Sequence, residues 1–197
     1  MTTDGDFWRL LGAFIGGSVV SYLIQLSVGY FSRPQLKLVT KKNSGLLVLT
    51  PGVWVREGAP PIPEEFKYIR ALVENRGRSS AKGCIAYVTK VIWVDRAGQE
   101  HVYKEMDLIE LKWAWRGHGT VEIPRGSYQY IDIFHLWRSV LGSRFSSDRF
   151  PGYLSQWGAG GGRFFISLKV CSENALPVDG LLSFEWDGTW DEIWIVE

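Results

Sequence analysis

Three histidines, His101, His118 and His135, are the side chains best suited to acid–base or metal chemistry in this 197-residue chain. A metal site built from them would need a second His or Cys two to four positions away, and none of the three has one. His118 lies in "WAWRGHG" beside Trp115 and Arg116, a stretch that reads as a turn or as a small binding loop. Strand parity places His135 with Ile131 and Ile133, which predicts a core or edge histidine. "GAGGGR" at residues 158–163 lacks the G-x-x-x-x-G-K-[ST] spacing of a phosphate cradle and leads into a strand pattern, so it reads as a flexible loop. Ser146, Ser147 and Asp148 form no nucleophile elbow. Catalysis has no visible seat, and neither a metal nor a cofactor is implied.

Cys84 and Cys171 could be joined across a sandwich, but parity opposes it. Cys84 alternates in step with Ala86 and Val88, whereas Cys171 falls in step with Ser167 and Lys169. Free thiols are expected, as in a reducing compartment.

Binding chemistry is better represented. Residues 138–162 carry Arg138, Arg144 and Arg149 among Phe145, Phe150, Tyr153 and Trp157, with Arg163 just beyond. Arg and aromatic residues concentrate at interface centres, and a loop this long is either functional or disordered. The same mixture could also rest on anionic lipid headgroups. A contact surface and a solvated, mobile loop are equally compatible with the pattern. The formal net charge of +1 gives no broad basic surface for nucleic acid.

The elements that would position these residues fall into two classes. From Leu10 to Val28 the chain is uncharged, and nineteen helical residues at about 1.5 Å each span roughly 29 Å, the hydrocarbon thickness of a bilayer. Phe7 and Trp8 precede the run, and Tyr30 and Phe31 follow it, in the manner of interfacial aromatic belts. The reading is a short tail at 1–9, one transmembrane helix at 10–31 and a domain at 32–197. The run is too long for a cleaved signal peptide, and no A-x-A-like site follows it. Arg33, Lys37, Lys41 and Lys42 lie on its C-terminal side, against Arg9 on the other. The positive-inside rule then puts the large domain in the cytoplasm, on a cell inner membrane. Gly12 with Gly16, and Gly17 with Ser21, repeat the small-x-x-x-small spacing that lets helices approach closely, and Gln25 adds a polar group. These five would contact helices of other membrane subunits.

Beyond Pro34 the runs are short, β-branched or aromatic, and separated by Gly, Pro, Asn and Asp. "QLKLVT", "GLLVL", "FKYIRALVE", "CIAYVTKVIWVD", "QEHVY", "GTVEI", "SYQYIDIFHL", "RFFISLKVC", "LLSFEW" and "EIWIVE" read as strands. "DRAG" and "DGT" read as hairpin turns. "EMDLIELKWAW" fits a short helix or a loop and a strand equally well. So many short strands predict a β-sandwich.

Within that pattern, "VENRGRSSAKGCIAYV" resembles the V-x-N-x-G-x-x-x-A-x-x-V signature of bacterial immunoglobulin-like domains of the CARDB-like class. Asn75 and Gly77 match its turn, where both tolerate left-handed backbone, and Ala81 matches the small residue entering the core. "VEIPRGSYQYIDI" is similar to the Pro-Gly turn before a late strand in such domains, with Arg125 interposed. The two segments cover about thirty residues, and the long 138–162 segment departs from the family. The resemblance implies an all-β immunoglobulin-like sandwich behind one N-terminal transmembrane α-helix. The function expected is that of a non-enzymatic accessory or scaffolding subunit of a membrane assembly. The alternative is a membrane-anchored ligand- or lipid-binding sensor using "WAWRGHG" and the arginine segment.

Overall fold

A computed structural model describes residues 17–25, 27, 32–40, 46–54, 60–103, 108–138, 142–147, 149–150 and 161–196. The strands are β1 (Leu36–Val39), β2 (Leu47–Trp54), β3 (Ile62–Asn75), β4 (Ala81–Val94), β5 (Glu100–Tyr103), β6 (Ile109–Glu110) and β7 (Lys112–Trp113). They continue as β8 (Val121–Ile123), β9 (Tyr128–Trp137), β10 (Gly142–Phe145), β11 (Gly162–Cys171), β12 (Val178–Trp186) and β13 (Ile193–Val196).

Two antiparallel sheets face each other. In sheet I the order is β1-β3-β9-β10, with β2 also on β3 and β7 also on β9; in sheet II it is β13-β12-β11-β4-β5, with β6 and β8 also on β4. The 14-residue strands β3 and β4 are the spines, because each is long enough to hold several short partners end to end. Along β3 these are β2 and then β1; along β4 they are β8, β6 and β5. Alternation at period two fills the space between the sheets. In β11 Phe164, Ile166, Leu168 and Val170 are buried, while the residues between them are half-exposed. The rings of Phe164 and Phe184 stack at 4.8 Å, and Phe134 lies 5.2 Å from Phe184 across the sheets. Aromatic contacts of this kind add to the area each ring removes from water.

The β3–β4 turn is tied by one buried amide. Asn75 Nδ2 donates to the carbonyls of Ser79 (2.8 Å) and Ile123 (2.9 Å), and its Oδ1 accepts from Gly77 N–H (3.0 Å) and Gln35 N–H (3.3 Å). Gly77 is required for close approach, and left-handed backbone is not the reason. A Cβ there would sit 2.5 Å from Pro34 Cα and 2.6 Å from the Arg33 carbonyl. Ala81 is fully buried, as expected of the residue that enters the core.

Three elements differ from the sequence reading. "EMDLIELKWAW" contributes two short strands to different sheets: Glu110 pairs with Tyr87 of β4, and Lys112 with Asp132 of β9. Leu111, between them, is fully buried at the crossing. The 138–162 segment is not a plain insertion loop, since β10 folds back antiparallel on β9, with Phe145 opposite Phe134. Finally, residues 17–25 are helical and exposed, but no helix of the described residues is long and apolar enough to cross a membrane. Gly12 and Gly16 lie outside the described residues. Gly17, Ser21 and Gln25 lie on the helix, and the space around the Gly17 Cα is open.

Candidate interaction face

The outer face of sheet I, turned away from the core, carries most of the chemistry. Its cross-strand pairs on β3 and β9 are Phe66 with Trp137, Tyr68 with His135, Arg70 with Asp132, Leu72 with Tyr130 and Glu74 with Tyr128. A register shift beside Ile69 and Arg70 adds a residue to β9 there. That extra residue reverses the parity of β9, which is why His135 leaves the face of Ile131 and Ile133 and joins the outer one. His135 stands among rings, 5.4 Å from both Tyr68 and Trp137, and its Nδ1 is 3.1 Å from Ser146 Oγ.

At the middle of this face is an ion pair. Arg70 Nε donates to Asp132 Oδ1 at 2.6 Å, with side chains 3% and 14% exposed. Charge on a sheet's outer face is ordinarily left in water, and here it is covered by aromatic rings. The Arg70 guanidinium lies 5.0 Å from the Tyr68 ring centre and 4.6 Å from that of Trp115. Burial pushes the Asp132 carboxyl above its usual range, against the opposing pull of Arg70 and Lys112. Burial likewise raises the Tyr68 hydroxyl, and Asp132 adds to it while Arg70 opposes.

Trp115 reaches Arg70 from the turn after β7. The turn is closed by Trp113 N–H donating to the Gly117 carbonyl (2.8 Å) and Gly117 N–H to that of Trp113 (3.1 Å). Trp115 has φ 62°, a left-handed backbone that bulky side chains avoid, and it is 78% exposed. The base of the same loop is pinned by Glu110, 9% exposed. Its Oε1 accepts from Gly119 N–H (2.7 Å) and lies 3.7 Å from His118 Nδ1; its Oε2 meets Arg149 Nη1 at 2.8 Å. Ser147 Oγ donates to the Glu110 carbonyl at 2.6 Å.

Residues singled out in the sequence therefore divide. Trp115, His118 and Arg149 are gathered around one loop, with Arg116 exposed beside them. Arg138 is set apart, its Nη1 2.6 Å from Glu65 Oε2 at the surface. Phe145 does not face a partner: it is 2% exposed, at the edge of the Phe134 ring, and half-buried Phe150 stacks on it at 4.4 Å. Arg144 lies opposite His135 in the register of β10 and β9. Tyr153 and Trp157 lie outside the described residues. Cys84 is buried and Cys171 half-buried, and both are free. The sequence reading did not connect Arg70 with Asp132. The available signal was one charge of each sign in the middle of two apolar strands, "YIRAL" and "YIDIF".

No family model matches the chain, and no curated protein does either. Six solved chains match, among them the crystal structure of Northeast Structural Genomics Consortium target SoR45. That chain is 10% identical, with 74% of this chain and 80% of the other covered and a TM-score of 0.28. A score of that size is too low to establish a common fold.

Proposed function

We propose that this protein is a non-enzymatic accessory subunit of a membrane assembly, held by an N-terminal membrane-spanning helix and docking onto a partner protein through the outer face of sheet I. The observation that carries the docking reading is Trp115, a large ring kept in water on a left-handed backbone over a buried ion pair. Trp, Tyr and Arg are the residues most enriched at energetic centres of protein interfaces. A ring fixed by its backbone and by the guanidinium beneath it loses little freedom on binding. The uncharged run from Leu10 to Val28 supports the anchor. Strand order supports an immunoglobulin-like sandwich, with β1, β3 and β9 adjacent in one sheet and β5, β4, β11 and β12 in the other.

The test is capture of the tagged full chain from native membranes in mild detergent. Trp115→Ala should lose the soluble-face partner, and Gly12→Ile with Gly16→Ile should lose membrane partners. Retention of every partner by both variants would exclude this reading.

A further inference from the structure

The end of the sandwich where the N-terminal run joins it has its own chemistry. Residues 32–35 are fastened there: Arg76 N–H donates to the Gln35 carbonyl (2.8 Å), Arg78 N–H to that of Arg33 (3.4 Å), and Ser79 Oγ to that of Ser32. The β8–β9 turn joins the same end, where Gly126 N–H donates to the Asn75 carbonyl at 2.9 Å. So does the β11–β12 turn, through Glu173 N–H to the Lys82 carbonyl at 3.0 Å. The position of this end relative to the apolar run is bounded by chain length. Only four residues separate Ser27 from Ser32, and an extended chain advances no more than about 3.6 Å per residue. Ser32 therefore lies within about 18 Å of Ser27, whatever path the chain takes.

The exposed charged side chains of this end include the bases Arg33, Arg76, Arg78, Lys82 and Arg125 and the acids Glu122 and Glu173, with Glu74 half-buried. Arg76 Nη2 lies 2.6 Å from Glu74 Oε2. In the β11–β12 turn of the same end Leu176 is 79% exposed, between Ala175 and Pro177. Leu176 lines two cavities here, one of about 470 Å³ with residues 32–34 and one of about 340 Å³ with residues 33–36.

We infer that this end of the sandwich is apposed to the bilayer, with its arginines on anionic lipid headgroups and Leu176 in the interfacial layer. The inference rests on the anchor reading, and it assigns the lipid contact to the turns at 76–79, 124–127 and 172–177, away from the 138–162 segment. An exposed leucine in a turn beside basic side chains is poorly placed in water and well placed at a headgroup boundary. Each basic residue next to an anionic leaflet favours apposition by about fivefold. The sandwich would then stand on the membrane by this end, leaving the outer face of sheet I upright and open to a neighbouring subunit.

The test uses the full chain carrying Leu176→Cys and Cys171→Ser, labelled with the fluorophore NBD while Cys84 stays buried, and reconstituted in vesicles. In phosphatidylcholine with phosphatidylserine, NBD emission should be blue-shifted and quenched by lipids carrying a nitroxide on the upper acyl chain. In phosphatidylcholine alone both signals should weaken. Replacing Arg76, Arg78 or Arg125 by Ala should lower the apposed-to-detached ratio about fivefold each. Water-like emission in the anionic vesicles from protein that resists alkaline carbonate would overturn the apposition and leave the anchor standing. Release of the protein by carbonate would overturn the anchor and this inference together.

Discussion

On the inner face of the β3–β9 pair, Ile69, Ala71 and Val73 meet Ile131 and Phe134, all at 1% exposure or less. On the outer face of the same two strands stand Tyr68, Arg70, Asp132, Tyr130 and His135, and there too Arg70 is only 3% exposed. The two faces reach burial by different physics. Inside, a second sheet removes apolar surface from water, and close packing makes every methylene count. Outside, a few rings cover one ion pair, and its attraction must offset the desolvation of both charges. The inner face should govern stability, and the outer face specificity.

The largest effect should come from the inner face. Phe134 touches Phe145, Phe164, Phe184 and Trp186, so Phe134→Ala opens a cavity between the sheets. A loss of about 3–5 kcal/mol is expected, a large part of the roughly 5–15 kcal/mol of a typical domain. Urea unfolding followed by tryptophan fluorescence reads it directly. A loss below about 1 kcal/mol would mean that the two faces are not energetically distinct.

On the outer face the sign of an effect depends on whether one charge or both are removed. Asp132→Ala strands the Arg70 guanidinium under Tyr68 and Trp115, which should cost about 3 kcal/mol or more. The double variant Arg70→Met, Asp132→Leu removes both charges at similar volume and should recover to within about 1 kcal/mol of wild type or exceed it. If the double variant were as unstable as the single one, the ion pair would be a structural necessity of the sheet.

How far this division could be read beforehand varies along the chain. Period-two alternation in "RFFISLKVC" marks the inner face of β11. In "CIAYVTKVIWVD" it marks that of β4 only as far as Val88, because a register shift against β11 skips Thr89 and the next buried residue is Val91, of opposite parity. The hairpin at Asp95–Gly98 was also legible: Gly98 takes φ 82° and its N–H reaches the Asp95 carbonyl at 3.0 Å. Parity failed in β9, where one extra residue beside the Arg70–Asp132 pair sends His135 outward. The Gly-Ser composition of β10 hid a strand whose place is set by pairing with β9, a tertiary cause without a local signal. Arg70 and Asp132 are 62 residues apart, so nothing local joins them.

A smaller effect separates the faces by pH. Burial raises the Tyr68 pKa above its ordinary value of 10.0, so the folded chain keeps this proton at pH values where the unfolded chain has released it. Its contribution to stability is complete below that ordinary value and is lost as pH rises through the raised one. Unfolding midpoints measured from pH 9 to 11 should fall towards the alkaline end, and Tyr68→Phe should flatten part of that fall (the pH range is about one unit either side of the ordinary tyrosine value). An unchanged slope in the variant would place the alkaline loss elsewhere.

The smallest effect on stability should come from Trp115, and its two replacements separate backbone strain from ring contact. Trp115→Ala keeps a Cβ on a left-handed backbone and removes the ring from Arg70, so a loss of about 0.5–1 kcal/mol is expected, the worth of an exposed cation–π contact. Trp115→Gly loses the same contact but relieves the φ of 62°, a strain of about 1 kcal/mol for a residue with a side chain. The glycine variant should therefore match wild type in urea while the alanine variant falls slightly below it. Both should lose the captured partner equally, because what docks is the ring. A glycine variant clearly less stable than the alanine one would show that the ring, and not relief of the backbone, dominates this turn, and Trp115 would then belong with the residues that hold the fold.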